Sequence, residues 1–204
     1  MTITLHKNDI PSDIDFSDRI AVDTETMGLK PERDPLCLVQ LSSGDGSAHI
    51  IQIDRNTYDA PNLKALLSNR NIMKIFHFAR FDIAIIKAYL DVECWPVFCT
   101  RTASRLVRTY TDRHGLRDCC RELLGVNIDK QQQSSDWGSP ELSEAQLKYA
   151  ASDVLYLHTL QDEFEKRLKR ENRTELAYKC FDFLPVRAEL DLAGWPDVDL
   201  FAHQ

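Results

Sequence analysis

Residues 19–29 read RIAVDTETMGL, an apolar run with branched side chains that ends at Asp23 and is followed by Glu25. Such a run favours a buried β-strand. Because alternate strand residues point to the same face, Asp23 and Glu25 place two carboxylates side by side. Two adjacent carboxylates repel each other unless a cation lies between them. A lone D-x-E is more often an ordinary polar strand end, so a metal site requires further acidic residues.

Two more apolar runs follow this strand, PLCLVQLSS at 35–43 and SAHIIQID at 47–54, with polar and Gly-containing breaks between them. Three strands so close in sequence predict an antiparallel meander. Residues 73–77 predict a further strand and residues 80–90 a helix, because the spacing of apolar residues changes between them. The pattern is therefore that of an α/β fold.

The rest of the chain is predicted to be mostly helical, with helices at 62–68, 102–110 and 116–124 and a long helix at 143–169. Ser143 and Gln146 have the spacing of a capping box at the start of the long helix. Pro185 and Pro196 interrupt the last apolar stretch, which predicts two short helices at 174–184 and 187–192, followed by a tail. We expect residues 1–170 to form one domain. Residues 171–204 are predicted to be a helical extension, packed on the domain or at a subunit interface.

Composition limits the class of protein. A chain of 204 residues that is 43% hydrophobic has the size of one globular domain. No run approaches the roughly 20 apolar residues of a membrane span, and the N-terminus does not resemble a signal peptide, so we expect a cytoplasmic protein without membrane association. The six cysteines include no C-x-x-C pair, which favours buried thiols over structural zinc. The net charge of -7 argues against non-specific binding of long nucleic acid.

Three further residues extend the acidic set. Asp82 lies in HFARFD at 77–82, in the first turn of a helix after a strand; the alternative is a helix-capping aspartate. Tyr149 and Asp153 lie four residues apart in YAASD, and hence on one helix face. Here the alternative is an ordinary amphipathic helix with a buried tyrosine and a solvated aspartate. With Asp23 and Glu25, these residues would supply oxygen ligands for the divalent metal ions that hydrolyse phosphodiesters.

Three segments, DTETMGL at 23–29, HFARFD at 77–82 and YAASD at 149–153, resemble in this order the motifs of the DEDDy 3'-to-5' exonucleases. The segment QSSDWGSPELSEAQLKYAASDVLYL at 133–157 resembles ribonuclease D in particular. In the sister DEDDh exonucleases a histidine stands where this chain has Lys148. The resemblance is therefore to the DEDDy group, in which Tyr149 takes the place of that histidine. A ribonuclease D-like chain too short for that family's C-terminal helical domain is similar to the single-domain nanoRNase C group.

The resemblance implies a ribonuclease H-like fold, with a mixed central sheet that begins as an antiparallel meander, continues with parallel strands and is flanked by helices. It implies an exoribonuclease that releases nucleoside 5'-monophosphates from short RNA, dinucleotides and single-stranded DNA being further candidate substrates. The chain would form a homo-oligomer, such as an octamer. The implied metal ligands for two Mg²⁺ or Mn²⁺ ions are Asp23, Glu25, Asp82 and Asp153, with Tyr149 orienting the attacking water. The alternatives are a DNA proofreading or repair exonuclease and a non-catalytic RNA-binding scaffold.

Substrate-binding residues are predicted less specifically. In related enzymes the residues after D-x-E line the pocket for the 3'-terminal nucleotide, although Leu29 fits a buried turn equally well. Arg101, Arg105 and Arg108 recur at helical spacing and predict a phosphate-contacting surface; a solvated or subunit-facing helix is the alternative. The aromatic candidates could equally belong to the core. The full predicted set is Thr24, Met27, Gly28, Leu29, His77, Phe78, Phe81, Arg101, Arg105, Arg108, Gln133 and Trp137.

Overall fold

The computed structural model describes residues 1–14, 16–128, 132 and 134–203. Its centre is a mixed sheet of six strands: β1 (Thr2–Lys7), β2 (Arg19–Thr26), β3 (Leu36–Ser42), β4 (Ser47–Gln52), β5 (Met73–Phe76) and β6 (Val97–Cys99). Their order in the sheet is β1-β4-β3-β2-β5-β6. The strands β2, β3 and β4 form the antiparallel meander, and β5 and β6 continue parallel to β2. The predicted fold class, α/β with a mixed sheet, is confirmed.

Helices flank this sheet in the described part of the chain. They are α1 (Pro61–Ser68), α2 (Ala79–Leu90), α3 (Thr100–Val107), α4 (Leu116–Cys119), α5 (Glu144–Leu155), α6 (Leu157–Arg170) and α7 (Thr174–Leu192). A π-helical turn at Cys120–Leu124 continues α4. The predicted capping box is present at the start of α5, where the Ser143 hydroxyl accepts from the Gln146 amide and the Gln146 side chain accepts from the Ser143 amide. None of the helices within the described residues is both long and apolar enough to cross a membrane.

The central strand β3 is buried along its whole length, so the core lies on both faces of the sheet. Helix α5 packs over β2, β3 and β4, and α2 packs against β2, β3, β5 and β6. Side chains alternate along β2, which means that Asp23 and Glu25 face one helix and Thr24 faces the other. The hydrogen bond from Thr24 to Asp82 of α2 identifies the face that α2 covers. Asp23 and Glu25 therefore point towards α5.

Strand β1 (Thr2–Lys7) was not predicted from the sequence. It pairs in parallel with β4 at the edge of the meander. The segment alternates polar and apolar residues, but Leu5 is about one-third exposed and most other residues of the strand face solvent. A short, exposed edge strand carries little of the apolar signal from which strands are predicted.

The predicted helix at 143–169 is wrong in being continuous. Tyr156, with φ of -104° and ψ of -3°, separates the segment into two helices, α5 and α6. The two halves pack on different partners: α5 lies over the meander, whereas α6 packs against α3, β5 and the π-helical turn. The break therefore falls where the chain passes from the meander to the partners of α6.

The prediction of two short helices around Pro185 is also wrong, because α7 runs through this proline from Thr174 to Leu192. Phe181 and Ala188, on either side of it, are both buried. Packing of this helix against α2 and β6 offsets the backbone hydrogen bond that the proline cannot donate. Helix α3 is shorter than the predicted 102–110 and ends at Val107, just before Arg108.

Candidate metal and substrate site

Three carboxylates from β2 and α5 meet at one place. Asp23, Glu25 and Asp153 each offer a ligand oxygen, and these oxygens lie within 4.8 Å of one another. Because side chains alternate along β2, Asp23 and Glu25 point towards α5, the helix that carries Asp153. Carboxylate oxygens at this separation can share a divalent cation. The structure thus brings together the acidic residues of the first and third motifs.

The electrostatics of this cluster favour a cation. Burial raises the pKa of Asp23 well above its usual range, and the neighbouring Asp82, Asp153 and Glu25 raise it further. Burial likewise raises the pKa of Glu25, with Asp153 as the next cause. Such carboxylates are stable as a group when protons or a positive charge lie between them. Because the donors are all oxygens, the cluster fits hard cations such as Mg²⁺ or Mn²⁺.

Asp82, the fourth predicted metal ligand, is not among the three residues whose oxygens lie within 4.8 Å of one another, but its charge acts on two of them. It lies in the first turn of α2, is 3% exposed, and accepts a 2.7 Å hydrogen bond from the Thr24 hydroxyl. Burial raises the pKa of Asp82 to about 7, although the bond to Thr24 opposes that rise. Its charge contributes to the raised pKa values of both Asp23 and Glu25. Asp82 of the second motif therefore interacts electrostatically with the carboxylates of the first motif.

Tyr149 stands one helical turn before Asp153 and turns its ring towards Trp137, the two ring centroids being 5.9 Å apart. Burial raises the pKa of Tyr149, and the nearby Asp153 raises it further. The phenol consequently keeps its proton at neutral pH and serves as a hydrogen-bonding group. Trp137 is 2% exposed, and its ring packs beside that of Tyr149 in α5.

A cavity of about 640 Å³ opens over this cluster. The side chains that line it come from all three motifs and from the loop before α5, so segments distant in sequence form one pocket. The predicted site residues in its wall are Asp23, Thr24, Glu25, Met27, Gly28, Leu29, His77, Phe78, Phe81, Arg101, Trp137, Tyr149 and Asp153.

The rim of the cavity combines exposed apolar side chains with the positively charged Arg101. Met27 is 47% exposed and Leu29 82% exposed, although neither is at a chain end. Phe78 has a left-handed backbone with φ of 78°, which is strained for a bulky residue and aims its ring outward. The Arg101 guanidinium carbon lies 4.9 Å from the centre of that ring. These groups can contact a base and a phosphate at the mouth of the site.

Glycine is required at position 28 because the Asp34 side chain lies against its backbone. A Cβ atom there would lie 2.2 Å from Oδ2 of Asp34. Asp34 is buried and accepts a 3.0 Å hydrogen bond from the Lys30 amide, which closes the turn after β2. The turn places Met27 and Leu29 at the cavity, so Gly28 acts by allowing the chain to fold back on Asp34.

Three of the predicted site residues that the structure describes do not line this cavity, namely Asp82, Arg105 and Arg108. Arg108 is fully buried and binds Glu122, so its assignment to an exposed phosphate-contacting surface is wrong. Its guanidinium also donates to the Ser104 hydroxyl and to the Arg113 carbonyl. Arg105 is exposed but does not line the cavity. Gln133 lies outside the described residues.

Other lining residues were missing from the predicted set. Arg117 lines the cavity, as do Ser134 and Ser135 from the loop before α5. The signal for Arg117 was its place in a basic segment, but helical spacing alone does not show which arginine of such a segment faces a pocket. The serines carry no distinguishing pattern.

Comparison with known proteins agrees with this geometry. Residues 7–169 match a family model described as 3'-5' exonuclease. The chain is 35% identical over 156 residues to the ribonuclease D of Acidiphilium cryptum, an alignment that covers 76% of this chain and 39% of that protein. The chain thus spans about two-fifths of the length of that curated relative.

Solved structures from Brucella melitensis are similar over their full length. Its NrnC with bound Mg²⁺ is 55% identical with a TM-score of 0.96, and its NrnC bound to pGG is 56% identical with a TM-score of 0.97; both comparisons cover 100% of each chain. With motifs, fold and acidic cluster in agreement, the chain belongs to the 3'-5' exonuclease family that includes ribonuclease D.

Proposed function

We propose that this protein is a two-metal-dependent 3'-5' exoribonuclease that hydrolyses short RNA oligonucleotides, dinucleotides included, to nucleoside 5'-monophosphates. The observation that carries the proposal is the convergence of Asp23, Glu25 and Asp153, with oxygens within 4.8 Å of one another, below an open cavity. The full-length similarity to an NrnC structure with Mg²⁺ and to one with pGG supports both the metal and the short substrate. A cytoplasmic location is part of the same proposal.

The metal ligands proposed are Asp23, Glu25 and Asp153, with Asp82 completing the set. When bound, two divalent cations supply activation of water and stabilisation of charge at the scissile phosphate. The carboxylates supply the negative charge that would bind these cations. The hydrogen bond from the Thr24 hydroxyl fixes the orientation of Asp82. Asp23, Glu25 and Asp153 are half-buried and line the cavity, whereas Asp82 is buried.

Tyr149 is proposed to orient the attacking water. Its raised pKa keeps the phenol protonated, so it acts as a hydrogen-bonding group and not as a base. Trp137 packs beside its ring and restricts its position. Because the water must be aimed at phosphorus, loss of the hydroxyl should lower the rate of the chemical step more than the affinity for RNA.

The cavity wall suggests how a substrate end is held. Met27, Leu29 and Phe78 supply apolar contacts to bases at the mouth, and Arg101 and Arg117 supply positive charge for phosphates. A volume of about 640 Å³ is in the range of pockets for small ligands. With a net charge of -7, the chain has little excess basic surface for following a long backbone. These features favour substrates of a few nucleotides.

A time course on end-labelled RNAs, from dinucleotide to decamer, tests this function, with single-stranded DNAs of the same sequences beside them. We expect Mn²⁺-dependent release of nucleoside 5'-monophosphates from the 3' end, fastest for the shortest RNAs. Asp23→Asn and Tyr149→Phe serve as matched variants that keep the shape of each side chain. Parental rates in both variants would contradict the assigned site, and a flat length profile would contradict short-RNA specificity. Faster cleavage of the DNAs would favour a repair enzyme instead.

A homo-oligomer, such as an octamer, is proposed as the working form. The C-terminal region leaves several apolar side chains exposed, more than a solvated surface requires, and a second copy of the chain is the partner that would cover them. They are Leu176, Phe183, Val186, Trp195, Val198, Leu200 and Phe201. Light scattering after gel filtration should give a mass several times 23.5 kDa, and a strict monomer would contradict this part of the proposal.

A further inference from the structure

Gln40 carries an amide in the middle of the most buried strand. Every residue of β3 is buried, and Gln40 has 0% of its surface exposed. Within the described part of the chain, neither Nε2 nor Oε1 of this amide has a hydrogen-bond partner. Leaving a buried amide unpaired costs about 1–3 kcal/mol. A methionine or leucine would stabilise the core of this strand better, so packing does not explain the glutamine.

The cross-strand neighbours of Gln40 show what its amide faces. Gln40 is paired directly with Asp23 of β2. Side chains at such paired positions share a face of the sheet, with their Cβ atoms about 4.5–5.5 Å apart. On its other side Gln40 is paired with Ile50 of β4, which has no polar side-chain atom. Asp23 is therefore the polar one of the two residues that are paired with Gln40.

The helix that covers this face leaves few other partners. Helix α5 packs over β2, β3 and β4. Of the four residues that it buries, Ala150, Ala151 and Val154 offer no side-chain hydrogen bond, and the Gln146 amide is already bound to Ser143 and Asp136. The Gln40 amide can form a hydrogen bond with the Asp23 carboxyl group in either protonation state. Its Nε2 can donate to the carboxylate, and its Oε1 can accept from the protonated acid.

We propose that Gln40 is a positioning residue for Asp23: its Nε2 amide donates to the Asp23 carboxylate when that group binds a cation, and so fixes which way the carboxylate oxygens point. Hydrogen bonds of this kind orient metal ligands, and their loss typically lowers metal affinity or activity about 10- to 100-fold. The inference rests on the proposed metal-dependent function. It adds to that function a residue that lies outside all three sequence motifs and does not line the cavity.

The test compares Gln40→Met with the parent. Methionine is close in volume and lacks the amide, and Leu41→Met, a buried position on the other face of the same strand, is the matched control. Mn²⁺ binding is measured by calorimetric titration, and unfolding is followed in the presence of a chelator. We expect the Mn²⁺ dissociation constant of Gln40→Met to rise about 10-fold or more, while the metal-free variant unfolds at the parental temperature or above it. Leu41→Met should bind Mn²⁺ as the parent does.

Two results would overturn the inference. One is a parental Mn²⁺ affinity in Gln40→Met. The other is an equal loss of affinity in Leu41→Met, because that would trace the effect to disturbance of the strand and not to the amide. Failure of the proposed function is distinguishable, because in that case the parent itself would bind no Mn²⁺. Should Gln40→Met not fold, Gln40→Leu supplies a second apolar substitution with the same expected loss of affinity.

Discussion

Arg55 donates a 2.9 Å hydrogen bond from its guanidinium to the carbonyl of Gly138, which ties the end of the meander to the loop before α5. The next two carbonyls of this loop are held in the same way: Ser139 accepts from the Gln52 amide at 2.8 Å and Pro140 from the Lys7 ammonium at 3.1 Å. Three donors from the edge of the sheet thus fix the loop that carries Trp137 against Tyr149.

Replacing Arg55 with methionine should loosen this loop without touching the carboxylates. We expect kcat to fall about 10-fold, since small displacements of a positioned group slow a reaction strongly, while Mn²⁺ affinity stays parental. Steady-state kinetics on a dinucleotide and a Mn²⁺ titration measure the two quantities. Arg170→Met, which removes an exposed arginine from the end of α6, is the control. An unchanged kcat in Arg55→Met would show that the loop needs no such anchor.

The contact between Thr24 and Asp82 gives a second prediction. Thr24→Val keeps the side-chain shape and removes the 2.7 Å hydrogen bond, whereas Thr24→Ser keeps the hydroxyl. Losing a hydrogen bond to a buried acidic group costs about 1–3 kcal/mol, so activity in Thr24→Val should fall by at least about 5-fold. Thr24→Ser should retain most of it. Equal rates in both variants would mean that the hydroxyl plays no part in orienting Asp82.

The acidic cluster predicts an unusual dependence of stability on pH. Burial raises the pKa of Asp82 from 3.8 to about 7. Between these two pH values the folded protein holds a proton that the unfolded chain has lost. The free energy of unfolding of the metal-free protein should therefore decrease as pH rises from about 4 to about 7. Asp23 and Glu25 act in the same direction.

Mn²⁺ should reverse this trend, because it competes with protons for the same oxygens and binds better as pH rises. Thermal unfolding at about pH 5 and about pH 7, with a chelator or with Mn²⁺, measures both effects, and Asp82→Asn is the control for the metal-free slope. If the stabilisation by Mn²⁺ were larger at the lower pH, the carboxylates would not be its binding site.

The burial of Arg108 predicts a loss of stability, not of substrate binding. Its guanidinium is enclosed and bound to Glu122 and to the Arg113 carbonyl. Arg108→Met should lower the free energy of unfolding by about 1–3 kcal/mol, because the Ser104 hydroxyl and the Arg113 carbonyl lose a donor, while leaving KM for RNA unchanged in the folded fraction. Chemical denaturation and kinetics separate the two effects. A raised KM at parental stability would instead restore the phosphate-contacting role predicted from sequence.

Arg101 and Arg105 form a natural pair for testing substrate contacts. Both belong to α3, but Arg101 lines the cavity and Arg105 does not. Arg101→Met should raise KM for a dinucleotide about 10-fold, as expected for one lost contact to a phosphate worth about 1–2 kcal/mol, and should weaken the dependence of KM on salt. Arg105→Met should leave both unchanged. The reverse ranking would place the phosphate on the outer face of the helix.

Local patterns predicted much of this site. Strand alternation placed Asp23 and Glu25 on one face, and helical spacing placed Tyr149 beside Asp153. That these pairs meet was implied by the resemblance to known exonucleases, since no local pattern specifies contact between distant segments. The break at Tyr156 and the continuity of α7 through Pro185 escaped prediction because both depend on which surfaces the helices pack against.

Side-chain partners account for the remaining differences. Arg101, Arg105 and Arg108 have the same local pattern, yet one lines the cavity, one faces solvent and one is buried. What distinguishes Arg108 is Glu122, which approaches it from the π-helical turn. Gln40 escaped notice for a similar reason, because an amide in an apolar run reveals its cross-strand neighbour only when the register is known.

The most direct measurement is an anomalous difference map, at the manganese edge, from crystals soaked in Mn²⁺. The carboxylates of Asp23, Glu25 and Asp153 should surround the strongest peak at coordinating distance, with a second peak within about 4 Å of it. Strong peaks elsewhere together with an empty cluster would contradict the claim that this pocket uses metal ions to cleave RNA.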